Sequence, residues 1–249
     1  MKRKKPIRIL CGALAGLLVL AGLTLLILAD RGRLNGYHPQ QTPREGQLRV
    51  ACVGDSVTYG FGIPRRGENC YPAVLQTLLG DGYCVNNYGY SGRTACLMGD
   101  RPYRTEHLCT ESRAFAPDIV VILLGANDSK AFNWGAEVAG VVAYPGQFEF
   151  DYKELIAMYQ ALPSHPKVCV ATPLPAYPDG SGKVRYDIQP EVIRDEILPA
   201  VRRIAEKTGA TLIDLFPVFD GKPELYSDGL HPTAEGAALL AQAVYDAIT

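Results

Sequence analysis

Four short stretches of this chain hold side chains and turns that could act together on an electrophile. Val53-Gly54-Asp55-Ser56-Val57-Thr58-Tyr59-Gly60 presents a serine just past a glycine turn. Asn87-Tyr88-Gly89-Tyr90-Ser91-Gly92-Arg93 has two glycines that permit a turn with an exposed backbone N–H. Leu124-Gly125-Ala126-Asn127-Asp128 offers an amide donor, and Ser227-Asp228-Gly229-Leu230-His231-Pro232 sets a carboxylate and an imidazole three residues apart. A serine hydroxyl is a weak nucleophile until a base takes its proton. Imidazole suits that task because it titrates near neutrality. A carboxylate behind the ring fixes its tautomer, and N–H donors stabilise a developing oxyanion.

Each stretch alone has an ordinary alternative. Asp55 and Ser56 could cap a helix, Gly92 could only turn the chain, and Asn127 could make a local turn. Asn127-Asp128-Ser129 also fits a glycosylation acceptor pattern, and Asp228 with His231 could cap the last helix. What favours a site is that all four fall after strands or just before a helix. Of the four histidines, His38 lies in a polar tether, and His107 and His165 have no Asp at comparable spacing. G-x-S-x-G and H-E-x-x-H are absent, which sets aside the α/β-hydrolase elbow and zinc proteases.

The elements that must position these residues alternate along the chain. Apolar runs at Leu48–Val53, Tyr83–Tyr88, Ile119–Leu124, Lys167–Ala171 and Thr211–Leu215 read as strands. Helical spacing appears at Tyr71–Leu79, Asp151–Leu162 and Glu191–Thr208, the last with a slight bend expected at Pro199, and again at Thr233–Ile248. Ser91 to Ala114 reads as short helical pieces. Strands alternating with helices predict a five-stranded parallel sheet covered on both faces.

Net charge is −1, but five Lys/Arg and no acid in the first 29 residues leave −6 on the remainder. An acidic body argues against nucleic acid as a partner. Lys2, Arg3, Lys4, Lys5 and Arg8 precede an uncharged run from Ile9 to Ala29, long enough to span a membrane as a helix. The basic cluster would stay cytoplasmic and place the body outside, with residues 1–29 as a signal-anchor. A cleaved signal peptide, leaving a secreted protein, is the alternative. Residues 30–47 read as a linker and 48–249 as the folded domain. Cys52 and Cys169 read as buried thiols, whereas Cys70, Cys84, Cys96 and Cys109 could hold a disulfide outside the cytoplasm.

The G-D-S-x-T-x-G run, the later S-G, the G-x-N-D and the D-x-x-H-P resemble the SGNH hydrolase (GDSL esterase/lipase) superfamily, over roughly Leu48 to Thr249. The resemblance implies a three-layer αβα sandwich of flavodoxin-like order. It implies Ser56 as nucleophile, His231 as base and Asp228 as orienter, with the Ser56 N–H, the Gly92 N–H and the Asn127 side chain as oxyanion hole. It implies no metal or cofactor. The stretch from Asn127 to Trp134 and the Pro-rich loop Thr172–Tyr177 are similar to bacterial carbohydrate acetylesterases of that superfamily. The expected substrate is therefore a short-chain ester, an acetyl group on a glycan, with Trp134, Tyr90 and Arg93 as candidate substrate contacts. Tyr59, Phe61 and Tyr226 also flank the blocks. A lysophospholipase or thioesterase, an O-acyltransferase and a non-catalytic glycan-binding module are the other readings.

Overall fold

The computed structural model describes residues 39–249 except 136, 139–140 and 143–144, together with Gly22. The segment read as an anchor or leader, 1–29, lies outside the described residues apart from Gly22, as does most of the linker. Among the described residues no helix is long and apolar enough to cross a membrane.

Five strands, β1 (Leu48–Gly54), β2 (Tyr83–Gly89), β3 (Ile119–Leu123), β4 (Lys167–Ala171) and β5 (Thr211–Ile213), form one parallel sheet in the order β2-β1-β3-β4-β5. Successive strand residues point to opposite faces, and here both faces are apolar because both are covered. Val50, Cys52, Val121 and Leu123 pack with helices α1 (Tyr71–Leu79) and α5 (Ala234–Ile248). Ala51, Val53, Val120 and Ile122 pack with α2 (His107–Ala114), α3 (Pro145–Gln160) and α4 (Leu198–Thr208). This is the three-layer arrangement that the alternation and the resemblance implied.

The strand register decides where the loops emerge. Gly54 stands opposite both Gly89 and Leu123, and Leu123 opposite Ala171. The C-terminal tips of β1 to β4 therefore end level along one edge. The winding direction reverses between β1 and β3, and a crevice opens there in sheets of this order.

Three elements differ from the sequence reading. The helix expected over 191–208 is broken by a π-helical turn at Ile193–Ile197, between Pro190–Val192 and α4. Pro199 has no N–H and its ring crowds the preceding turn, so the wider turn relieves both. β5 ends at Ile213 because the Leu215 N–H folds back to the Ile213 carbonyl at 3.0 Å. Residues 39–47 do not hang free: Gln40, Gln41 and Gln47 side chains donate to the carbonyls of Asn87, Val85 and Tyr83. Their amides occupy the outer edge of β2, which would otherwise offer unpaired backbone groups. The six described cysteines, Cys70, Cys84, Cys96 and Cys109 included, are buried free thiols.

Candidate active site

Ser56 begins a single helical turn, Ser56–Tyr59, laid across the tips of β1 and β2. Only glycine allows that approach. A Cβ at Gly54 would stand 2.5 Å from the Leu123 carbonyl oxygen, and one at Gly89 would stand 2.2 Å from the Tyr59 nitrogen. The Asp55 carboxylate caps the turn, accepting from Val57 N at 2.9 Å.

The loop before α5 brings the other two expected members to this turn. His231 Nε2 lies 2.9 Å from Ser56 Oγ, and His231 Nδ1 lies 2.8 Å from Asp228 Oδ2. Asp228 Oδ1 accepts the backbone N–H groups of Leu230 and His231 at 3.1 and 2.8 Å. Burial alone would raise the Asp228 carboxyl, but the His231 ring and these N–H donors outweigh it and hold it at about 2. It therefore stays ionised behind the ring. Phe61 and Tyr186 rings flank the imidazole at 4.7 and 5.4 Å between centroids.

The loops after β2 and β3 are tied together. Asn127 Nδ2 donates to Asp55 Oδ2 at 3.0 Å and to the Arg93 carbonyl at 3.2 Å. Asp128, fully buried, accepts the N–H groups of Ala95 and Cys96. Asn133 bridges the Asn127 carbonyl to Asp100. These bonds place Gly92, at φ +83°, beside the serine turn. Among the described residues neither the Ser56 N–H nor the Gly92 N–H donates to a protein acceptor. Burial raises Asp55 to about 6 and Asp128 to about 7, against the donors that each accepts from.

A pocket of about 200 Å³ opens over this edge, lined by Ser56, Phe61, Ser91, Gly92, Arg101, Asn127, Lys130, Tyr186, Leu230 and His231. Ser56, Gly92, Asn127 and His231 thus share one wall, with Asp228 behind. The three candidate substrate contacts do not line it. Trp134 is half-buried and packs edge-on against Phe148 at the margin of the core. Arg93, read as a solvated or substrate-facing charge, is buried and paired with Glu106 at 2.8 Å. Its guanidinium lies 3.2 Å over the centroid of the Tyr90 ring. Both residues therefore shape the Gly92 loop. Tyr59 and Tyr226 are core residues, and Asn127, buried, is closed to glycosylation.

Arg101, Lys130 and Tyr186 were missed. Lys130 stands three residues past Asn127 and could have been read from that block. Arg101 and Tyr186 lie in irregular loops with no periodic signal, and only the folding of those loops onto the edge brings them in. Among the described residues no group of His, Cys, Asp and Glu is arranged to hold a metal ion.

Residues 52–239 match the family model described as the GDSL-like lipase/acylhydrolase family. The chain is 39% identical over 241 residues to an acetylxylan esterase of Xylanibacter ruminicola, covering 89% of this chain and 47% of that protein. It thus spans about half the length of that curated relative. The fold is similar to a solved acetyl xylan esterase, AlAXEase, with a TM-score of 0.59 at 22% identity, covering 81% of this chain and 100% of the other. It is also similar to Est24, a carbohydrate acetylesterase from Sinorhizobium meliloti, with a TM-score of 0.56 at 22% identity over 80% and 97% of the two chains. With the family match running from within β1 into α5, and so across every block described above, this chain belongs to the GDSL-like lipase/acylhydrolase family of ester hydrolases.

Proposed function

We propose that the chain removes short acyl groups, acetyl above all, from a carbohydrate through an acyl-enzyme on Ser56. The observation that carries this is the continuous relay from Ser56 Oγ through His231 to Asp228, at 2.9 and 2.8 Å. His231 takes the hydroxyl proton as Ser56 attacks the ester carbonyl, then gives it to the departing sugar oxygen. Water attacks the acyl-enzyme by the same base and restores the serine. Asp228 keeps the Nδ1 proton in place and balances the imidazolium. The unpaired Ser56 and Gly92 N–H groups would hold the oxyanion. Asn127 would add a third donor through the amide proton that now makes the longer contact to Arg93 O.

Pocket size and kinship support the short acyl group. About 200 Å³ lies below the ~300–1,000 Å³ usual for drug-sized ligands and leaves little room for a long chain. The acetylxylan esterase relative supports a glycan acceptor. A p-nitrophenyl ester series tests the reading: rates should fall beyond C4, and a maximum at C8 or longer would favour a lipid acylhydrolase. Ser56→Ala should abolish turnover with an unchanged thermal melt, and full activity would refute the assignment. A location outside the cytoplasm is proposed from the basic cluster and apolar run of residues 1–29. A mature N-terminus near Asp30, read by mass spectrometry, would replace the anchor with a cleaved leader.

A further inference from the structure

Among the described residues two cations line the pocket and no carboxylate does. Arg101 and Lys130 are among its lining residues, and none of the others is Asp or Glu. This occurs on a chain that carries −6 outside its first 29 residues, so the sign is opposite to that of the body around it. Lys130 is only 8% exposed. Among the described residues its ammonium makes no hydrogen bond or ion pair, and Nζ lies 5.5 Å from the centroid of the Phe132 ring. Asp55 feels the Lys130 charge, but its two oxygens are occupied by Val57 N and Asn127 Nδ2. The Lys130 stem is buried, but Nζ is not among the buried polar atoms left without a partner, so the ammonium reaches the open side of the pocket, where an anion would meet it. Arg101 stands at the same mouth. A Cβ at Gly92 would lie 3.5 Å from its Nη1. Its acid contact among the described residues, Asp100 at 3.8 Å, is long, and Asp100 is also held by Asn133.

We propose that Lys130 and Arg101 form an anion subsite, so that the ester presented to Ser56 belongs to a negatively charged sugar, a uronate or a sulfated residue. The proposal rests on the ester-hydrolase reading and names its substrate class. A guanidinium fork suits a planar carboxylate, and a compact ammonium acts as a point charge for either anion.

The test pairs 4-acetoxybenzoate with its neutral methyl ester. Lys130→Met should raise KM for the anionic ester about tenfold more than for the neutral one, the size of one charge-assisted contact. Lys130→Arg should keep most of the wild-type preference, and 0.5 M salt should shrink it. A wild-type enzyme that cleaves neither ester removes the ester-hydrolase reading itself. Cleavage of both with the same ratio in Lys130→Met removes only the subsite. An equal loss of kcat on both esters assigns Lys130 to the oxyanion and also overturns the subsite. A second arm needs no variant: glucuronate, glucose 6-sulfate and glucose are compared as inhibitors of neutral-ester hydrolysis. At least one charged sugar should inhibit at about tenfold lower concentration than glucose, and the better one identifies carboxylate or sulfate. Equal inhibition by all three overturns the proposal.

Discussion

Tyr186 and His231 converge on one carboxylate oxygen: Tyr186 Oη stands 3.3 Å from Asp228 Oδ2, and His231 Nδ1 stands 2.8 Å from the same atom. Tyr186 and Asp187 both adopt positive φ, 62° and 57°, which is unfavourable for residues with a Cβ. The loop thus holds strained backbone where its ring covers the imidazole. Tyr186→Phe leaves the ring and removes the donor. Asp228 then binds a proton more readily and pulls harder on the imidazolium. The acid limb of the kcat/KM profile should move up by less than about one pH unit, with a loss of about two- to fivefold. A profile identical to wild type would limit Tyr186 to packing.

Asn127 joins the serine turn to the Gly92 loop, so its truncation should act on both stability and rate. Asn127→Ala should lower kcat by ~10²–10³ with little change in KM, the pattern of a contact made in the transition state. It should also lower the melt, because Asp55 Oδ2 and the Arg93 carbonyl lose a donor. A lowered melt with wild-type kcat in the folded fraction would mean that the residue is structural only.

Asp55 and Asp128 give the stability a pH dependence of definite sign. Both are raised by burial, to about 6 and about 7, above the ~3.9 of an unfolded aspartate. The folded state therefore holds protons that the unfolded chain has released. The stability that they contribute is fully present below ~3.9 and is lost as pH rises through 6 to 7. Asp228, lowered to about 2, acts oppositely and loses its contribution only as pH falls through 2. Urea midpoints should thus be higher at pH 5 than at pH 8. Asp128→Asn should flatten that difference, and it should cost ~1–3 kcal/mol at pH 5 because one of the Ala95 and Cys96 N–H groups loses its acceptor.

Gly89→Ala should be severe although the substitution is small. Its Cβ would meet backbone atoms of Tyr59 and Thr58 at 2.2 and 2.6 Å, and backbone cannot rotate aside. The turn carrying Ser56 must lift, for a loss of ~1–3 kcal/mol or more and at least about tenfold in kcat, since reacting groups tolerate little displacement. Gly67→Ala, with nothing within 4 Å of its Cβ, should stay within about 0.5 kcal/mol of wild type. Thermal melts and kcat on p-nitrophenyl acetate for the pair check this.

The parallel sheet, its two covered faces and the order of the four blocks were legible in the sequence because each rests on local information. β-branched runs such as Ile119–Leu123, glycines at strand tips and the 3.6-residue spacing of Leu240, Val244 and Ile248 are set by neighbours along the chain. The types at Ser56, Gly92, Asn127, Asp228 and His231 could be read for the same reason. Their convergence could not: 175 residues separate Ser56 from His231, and strand register and the winding reversal between β1 and β3 close that gap. Tertiary structure alone turned Trp134 against Phe148, buried Arg93 against Glu106, and laid residues 39–47 along β2. It also carried Arg101, Lys130 and Tyr186 to the pocket. Irregular loops fold according to what they meet rather than to a repeating pattern of their own, and so the residue types near the serine were written in the chain while the rest of the pocket wall was decided by packing.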